Sequence, residues 1–211
     1  MTTLNVQFLP KSVLAKEASS FLSQNELTEI PIDIEFVAEC NYKIHIVPFA
    51  SLLKEYGIDG YSASDFSAIY VDEFVYNQRP TRLRFTVAHE LGHRVLHEKY
   101  LSMLKFSSIN QWIEVILNNL DRSDYEKMEY QANAFAGLVL VPQDHLEVRF
   151  KNMLHTLTTL IEEAKANGLA RNDYLDTVIY TIADELSSQF EVSLDVLTIR
   201  IKSASLDELI P

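Results

Sequence analysis

The sequence has a single cysteine, so an internal disulfide framework is excluded. Such a chain fits a reducing compartment, and we expect a cytoplasmic protein. Cys40 follows the apolar residues 36–38 and has no metal-ligand or nucleophile motif around it, so we expect its side chain to be buried. Long apolar runs are also missing: the longest, residues 134–141, is too short to cross a bilayer. Residues 1–5 lack the basic region and apolar core of a secretory signal.

Basic residues are scarce as well. The chain has 18 lysines and arginines against 30 aspartates and glutamates, a formal net charge of −12. No face can readily gather the positive charge that meets nucleic-acid phosphates, so we do not expect direct DNA binding. Hydrophobic residues make up 47% of the chain, ample for one medium-sized core with a small helical appendage. No repeat or Gly/Ser-rich linker demands a domain boundary before about residue 150.

One short motif carries a defined chemistry: residues 89–93 read His89-Glu90-Leu91-Gly92-His93. On a helix the two histidines are one turn apart, so both imidazoles leave the same face and can bind one metal ion. Glu90 is then placed to act on a water bound to that metal. The motif predicts a zinc hydrolase with His89 and His93 as metal ligands and Glu90 as the catalytic residue.

The segment 81–98 has a helical pattern that does not depend on the motif. Pro80 suits the first turn of such a helix. Gly92 in the helix interior costs about 1 kcal/mol relative to alanine, so we expect another backbone, or a substrate, to approach it closely. Apolar residues recur at every fourth position, with others widening the stripe, as in a helix packed on a core. They are Leu83, Val87, Leu91 and Val95, with Phe85, Ala88 and Leu96 beside them.

Catalytic zinc sites normally have three protein ligands, so one ligand remains to be found. The segment 123–141 reads as a helix, and small residues at 132 and 136 would let it pack closely on the motif helix. Glu129 is the candidate third ligand, and Asn133, one turn on, is placed to hydrogen-bond a ligand. A lone helical glutamate more often lies on a solvated face, but the adjacent Ala-Asn-x-Phe-Ala stretch favours the ligand role. The predicted core stripe is Met128, Ala132, Phe135 and Val139.

Two strands are predicted before the motif helix, at residues 43–47 and 68–72, after helices at 11–28 and 32–39. A substrate peptide can add as an extra strand to an exposed sheet edge. We therefore predict that Ile69, Tyr70 and Val71 form a substrate-binding edge. For stabilising the oxyanion of the reaction, the sequence offers Tyr130, Arg82 and His97, and His97 could instead pack near the helix end.

Beyond Pro142 the sequence becomes helical throughout. Residues 143–168 suggest one or two helices that stop at Gly168, and residues 174–190 and 193–202 suggest a pair with Ser193 as a cap. The pair is similar to a degenerate helix-turn-helix, but its second helix has only Arg200 and Lys202 as cations. We therefore favour a structural or protein-binding role. The predicted apolar centre is Ala183, Val192, Val196 and Ile199.

Two blocks of the sequence together resemble the ImmA/IrrE metallo-endopeptidases. The first is Arg84-Phe85-Thr86-Val87-Ala88, which leads into the His-Glu-x-x-His motif and on to Val95-Leu96-His97. The second is Glu129-x-x-Ala132-Asn133-x-Phe135-Ala136, which ends at Leu140-Val141-Pro142. The resemblance covers roughly residues 17–142, and a weaker similarity is present at residues 190–193. Gln131 stands where the family often has an acidic residue.

The resemblance implies an α+β fold with a zincin-like metallopeptidase core, in which a small sheet packs on the motif helix and the Glu129 helix. We assign residues 1–142 to this domain and residues 143–211 to a helical extension. It also implies one Zn²⁺ held by His89, His93 and Glu129, with Glu90 as the base, although the ligand set leaves another divalent metal open. The implied substrate is a helix-turn-helix transcriptional repressor, whose cleavage relieves repression.

Three functional hypotheses remain at this stage. The chain is a zinc endopeptidase that acts on a regulatory protein, or a non-catalytic module that keeps a structural metal site and titrates a repressor, or a DNA-binding regulator. The charge balance disfavours the third. Replacing Glu90 with glutamine separates the first two, since only a peptidase needs that carboxylate.

Overall fold

The structure is a computed structural model that describes residues 5–211, apart from the side chain of Leu117. The expectation about a missing secretory signal falls almost entirely on residues 1–4, outside this range. The described chain forms two compact units. The first comprises the residues up to Thr28 together with Asp33–Val139, and the second comprises Glu29–Ile32 and Leu140–Pro211. The functional division at residue 142 stays a prediction.

The first unit mixes helices with three short strands, as the sequence predicted for the α+β class. Its helices are α1 (Lys11–Gln24), α2 (Ile34–Phe36, continued by a π-helical turn, Val37–Asn41), α3 (Leu52–Tyr56), α4 (Glu73–Gln78), α5 (Pro80–Leu101), α6 (Ile109–Asn119) and α7 (Arg122–Leu140). Its strands are β1 (His45–Phe49), β2 (Gly60–Ser62) and β3 (Ala68–Asp72). The sequence predicted β3 at its observed bounds but missed β2, α3, α4 and α6.

The strands form one sheet in the order β1-β3-β2, with β1 parallel and β2 antiparallel to β3. β3 is therefore the central strand. The prediction that Ile69, Tyr70 and Val71 form a substrate-binding edge is wrong, because both sides of β3 already pair with neighbouring strands. Within the described sheet, the edge nearer the motif helix is β2, a strand too short for the sequence pattern to reveal.

The end of β3 sets the position of the motif helix. Asp72 accepts hydrogen bonds from Phe74 N (3.0 Å) and Val75 N (3.3 Å), so it caps α4, and its second oxygen accepts from Leu53 N (2.8 Å) at the start of α3. One carboxylate thus fixes two helices to the end of the central strand. After one residue, Pro80 begins α5, as its fixed φ favours.

Strand β2 lies directly against α5. A Cβ atom at Gly60 would stand 2.7 Å from Thr86 Cγ2 and 2.8 Å from Tyr70 O, so only glycine permits this approach. Tyr61 points to the other face of the strand, as alternation requires, and stacks on Tyr70 with ring centroids 5.0 Å apart. Ser62, like Gly60, therefore faces α5.

Helix α5 is buried on two faces. Val87, Ala88 and Leu91 of the predicted apolar stripe have no exposed surface. On the other side Glu90, His93 and His97 are at most 7% exposed, an unusual burial for ionisable groups. The predicted stripe of α7 is confirmed, since Met128, Ala132, Phe135 and Val139 are all buried.

The second unit contains the helices α8 (Gln143–Thr156), α9 (Thr158–Ala166), α10 (Arg171–Phe190) and α11 (Leu194–Ser203) and a 3₁₀ helix (Leu206–Leu209). Ser193 caps α11 by accepting from Val196 N, as predicted. The predicted apolar centre is partly wrong: Ile199 is 66% exposed, and Leu197 and Ile201 are buried instead. The reason is that α11 turns the 197/201 stripe toward α10, so position 199 faces solvent.

Both cations of α11 are engaged within the second unit. Arg200 is buried and donates to Val141 O, to Gln143 Oε1 (3.0 Å) and to Ser203 Oγ (3.0 Å). Lys202 Nζ donates to an Asp176 oxygen at 3.2 Å. Neither residue offers the free positive charge that a DNA-recognition helix needs.

Two expectations about single features can be compared with the structure. Cys40 is exposed, so the prediction of a buried cysteine is wrong; the π-helical turn rotates it away from the buried Val37 and Ala38. Among the helices of residues 5–211, none has the length and apolar character to cross a membrane.

Candidate metal and catalytic site

A cavity of about 270 Å³ lies in the first unit beside α5. One wall carries His89, Glu90, His93 and Glu129, and β2 contributes another wall. The remaining wall is largely apolar and comes from α6, the segments next to it and the start of α7. Its members include Phe106, Trp112, Ile116, Leu120, Tyr125 and Met128.

The three predicted metal ligands converge on one point. The Nε2 atoms of His89 and His93 are 3.0 Å apart, and each lies 3.4 Å from a carboxylate oxygen of Glu129. Donors bound tetrahedrally to zinc at about 2.0–2.1 Å stand roughly 3.3 Å from one another. The donor set and its spacing therefore fit a metal ion of this size. Within residues 5–211 this is the one cluster of three such side chains.

The tautomer of His89 is set by Asn133. The Nδ1 atom of His89 lies 3.0 Å from Asn133 Oδ1. An amide oxygen only accepts a hydrogen bond, so His89 Nδ1 carries the hydrogen. In the neutral ring, Nε2 then holds a lone pair that points to the cluster. This is the arrangement a metal-bound histidine needs.

The tautomer of His93 is set by a longer chain of hydrogen bonds. Gln131 Nε2 donates to the backbone carbonyl of Gln7 (3.0 Å), which turns Gln131 Oε1 toward His97 Nε2 (2.9 Å). His97 therefore carries its hydrogen on Nε2 and accepts at Nδ1, which lies 3.1 Å from His93 Nδ1. His93 donates there, and its Nε2 lone pair also faces the cluster. Two lone pairs and a carboxylate that meet in this way favour a shared cation, which is a metal ion or a proton.

The electrostatics agree with this arrangement. Burial, followed by the charge of His93, lowers the pKa of His97 to about 3, so His97 stays neutral. Burial raises the pKa of Glu129, but His89 and His93 in their protonated forms outweigh it through hydrogen bonds and charge, and hold that pKa far below its usual range. Burial likewise lowers the pKa of His89, but the hydrogen bond that its protonated ring donates to Glu129 and the charges of Glu90 and Glu129 leave that pKa raised. Glu129 is thus fully ionised at neutral pH.

Close contact between α5 and α7 brings Glu129 to the histidines. A Cβ atom at Gly92 would lie 3.1 Å from Phe135 Cδ1 and 3.3 Å from Ala132 Cα and O. The expectation that another backbone approaches Gly92 is confirmed. Ala132 supplies that backbone. Gly92 has no side chain and Ala132 has only a methyl group, so the two helices can approach closely at this point.

Glu90 lies in the same cavity, next to the cluster. It is 7% exposed, and its Oε2 accepts a 2.7 Å hydrogen bond from Ser62 Oγ on β2. Sequence reasoning missed Ser62, because a three-residue strand leaves no periodic signal. The carboxylate is thus oriented by a donor from an element 28 residues earlier in the chain.

The sequence candidates for oxyanion stabilisation lie in three different environments. Arg82 reaches the cavity, but Asp59 engages it in two hydrogen bonds of 2.6 and 2.7 Å. Tyr130 is 44% exposed, stacks on Phe8 and is not among the residues that line the cavity. His97 is buried behind His93 and is likewise not part of the lining. Tyr125, one turn before Glu129, does line the cavity. Its position four residues before the predicted ligand Glu129 was the signal in the sequence that could have revealed it.

An α+β chain in which a His-Glu-x-x-His helix and a glutamate-bearing helix meet at one cavity has the make-up of a metallopeptidase. A family model described as Peptidase_M78, IrrE N-terminal-like domain, matches residues 46–202. The chain belongs to this family, which confirms the resemblance seen in the sequence. Membership implies a metal site and possible peptidase activity.

Other comparisons add information on the fold. A solved structure described as a Mycobacterium tuberculosis transcriptional regulator matches with a TM-score of 0.50 and 14% sequence identity. The match covers 87% of this chain but 44% of that protein, so this chain spans less than half of its length. At this identity the likeness concerns the fold alone. Comparison with curated protein sequences found no match.

Proposed function

We propose that this protein is a zinc-dependent endopeptidase with a zincin-like core that cleaves a regulatory protein, and that the substrate is a helix-turn-helix transcriptional repressor. One observation carries the proposal: two oriented imidazoles, an ionised carboxylate and the Glu90 carboxylate meet in one cavity. The family supports hydrolysis of peptide bonds. The regulatory substrate rests on the family resemblance and on analogy with a transcriptional regulator of similar fold.

The metal held by His89, His93 and Glu129 would polarise the scissile carbonyl and lower the pKa of an attacking water toward about 7. Glu90 takes the proton from this water as the water oxygen adds to the carbonyl carbon, and then delivers it to the leaving amine nitrogen. Ser62 keeps the Glu90 carboxylate in place through both transfers. The buried relay through His97 and Gln131 keeps His93 in the tautomer that the metal requires.

We assign the substrate track to β2. Asp72 N donates to Asp59 O and Ala63 N donates to Ala68 O, so alternate residues of β2 pair with β3. The backbone groups of Gly60 and Ser62 point the other way and are left for an added strand. Both residues line the cavity, so a peptide paired there runs past the metal ligands. The apolar wall with Phe106 and Trp112 suits a large apolar side chain of the substrate.

The test compares the zinc-loaded protein with its Glu90→Gln variant on the helix-turn-helix repressor encoded nearest to its own gene and on a proteome-derived peptide mixture, with cleavage sites identified by mass spectrometry. We expect the wild type to cut at a defined site and Glu90→Gln to lose turnover by at least 10²-fold while it keeps zinc. Glu98→Gln, the same change at an exposed position of α5, is the matched control.

Equal regulatory effect of wild type and Glu90→Gln, without cleavage by either, contradicts a peptidase and leaves the titration hypothesis. Cleavage of peptides but not of the repressor contradicts only the substrate assignment.

A further inference from the structure

Tyr125 is the aromatic residue of the cavity that lies on the same helix as Glu129. It precedes Glu129 by four residues, so the two side chains leave the same face of α7. Its ring packs against a buried apolar cluster that includes Leu104, Ile116 and Met128. The ring is therefore held in place by packing, while the side chain as a whole lines the cavity.

The hydroxyl group of Tyr125 has a free donor. Within residues 5–211, the Tyr125 side chain makes no hydrogen bond, and no buried side-chain nitrogen or oxygen lacks a partner. The hydroxyl is therefore accessible rather than buried, and Tyr125 is one of the residues that line the cavity. Hydrolysis of a peptide bond creates negative charge on the carbonyl oxygen, and the site needs a donor for that charge.

The charges around Tyr125 keep its proton in place. Burial, followed by the negative charges of Glu129 and Glu90, raises its pKa to about 12. The phenol therefore remains protonated at neutral pH.

We propose that Tyr125 is a catalytic residue: its hydroxyl donates a hydrogen bond to the oxygen of the scissile carbonyl as negative charge develops there. This inference rests on the proposed peptidase function. Tyr125 keeps its own proton throughout. The water oxygen adds to the carbonyl carbon, the π electrons move to the carbonyl oxygen, and Glu90 carries the water proton to the amine nitrogen as the C–N bond breaks.

Other donors at the cavity are less suited to this role. Arg82 is paired with Asp59, and Thr86 Oγ1 donates to the Arg82 carbonyl oxygen at 2.9 Å. Trp112 has an indole N–H, but it lies in the apolar wall that we assign to a substrate side chain. Its ring packs on Tyr61, with centroids 5.8 Å apart.

The test uses Tyr125→Phe, which removes the hydroxyl and keeps the ring that packs on the core. The substrate is a peptide that the wild-type, zinc-loaded protein cleaves in the proteome-derived mixture. We expect kcat to fall by about 10²–10³-fold, as after removal of other oxyanion donors, with KM, zinc affinity and melting temperature unchanged. Tyr76→Phe, the same change at an exposed tyrosine of α4, is expected to keep kcat.

A second measurement does not depend on turnover. A phosphonamidate analogue of the same peptide carries a tetrahedral, negatively charged centre, so its affinity should fall in Tyr125→Phe by a factor similar to that for kcat/KM. Affinity for the uncleaved peptide, measured in the Glu90→Gln background, should not change.

Three results overturn the assignment. The first is a kcat for Tyr125→Phe within about threefold of wild type, far from the loss expected for an oxyanion donor. The second is a loss of zinc affinity in step with kcat, which assigns Tyr125 a structural role. The third is a kcat that falls in Tyr76→Phe as far as in Tyr125→Phe. If the wild type cleaves nothing, the peptidase function fails, and the role of Tyr125 fails with it.

Discussion

Ser62 Oγ donates a 2.7 Å hydrogen bond to Glu90 Oε2. Ser62 lies on the edge strand that we assign to the substrate, and Glu90 lies on the helix that carries the proposed metal ligands His89 and His93. The bond therefore links the proposed substrate track to the proposed catalytic base. It also explains why β2 presents a small polar residue to α5 at a position that is 8% exposed.

Replacement of Ser62 by alanine should lower kcat. A hydrogen bond to a charged group contributes about 1.5–3 kcal/mol, so we expect a loss of roughly 10- to 100-fold. Zinc affinity should not change, because Ser62 does not touch a ligand. Steady-state kinetics and zinc titration of Ser62→Ala check both points. Ser64→Ala removes a hydroxyl from the same cavity wall and should behave as wild type; equal losses in both variants would show that the effect is not specific to the Glu90 bond.

Replacement of His97 by leucine should weaken metal binding. The variant leaves His93 Nδ1 without its acceptor and Gln131 Oε1 without its donor, so the tautomer of His93 is no longer fixed. Loss of a residue that orients a ligand typically costs 10- to 100-fold in affinity. Competition with a chromophoric zinc chelator measures it, and His45→Ala, at an exposed histidine of β1, is the control. Wild-type affinity in a folded His97→Leu protein would contradict the relay.

Replacement of Tyr61 by phenylalanine should stabilise the protein at alkaline pH. Burial, followed by the charges of Tyr70 and Tyr56, raises the pKa of Tyr61 from 10.0 to about 12. Between these pH values the folded protein keeps this proton while the unfolded chain loses it. The free energy of unfolding therefore falls as pH rises, by about 1.4 kcal/mol per pH unit for this group.

Urea unfolding between about pH 7.5 and 11.5 measures this difference. The wild type should lose stability more steeply than Tyr61→Phe above pH 10, and the two slopes should agree below pH 9. Tyr180→Phe, at an exposed tyrosine, is the control. Parallel slopes for wild type and Tyr61→Phe over the whole range would rule out the proposed contribution.

Periodic features were predictable from the sequence. Helices α5 and α7, strand β3 and the Ser193 cap follow from apolar spacing, Pro80 and a hydroxyl residue at a helix start, all of which act over a few residues. The spacing of His89 and His93 also follows from the geometry of one helix. The pairing order of the sheet was not predictable, because hydrogen bonds between strands depend on long-range packing rather than on local pattern.

The sequence by itself determined which side chains can hold a metal, because two histidines one turn apart share a face on any helix. Only the tertiary structure decided which groups surround them. Gly92 and Ala132 let two helices approach until Glu129 reaches both imidazoles, and a three-residue strand brings Ser62 to Glu90. The series of hydrogen bonds that runs from Gln7 to His93 includes the bond between Gln7 and Gln131, which are 124 positions apart in the sequence. Such contacts form only when the core packs, so their cause lies in the folded geometry and not in the order of residues.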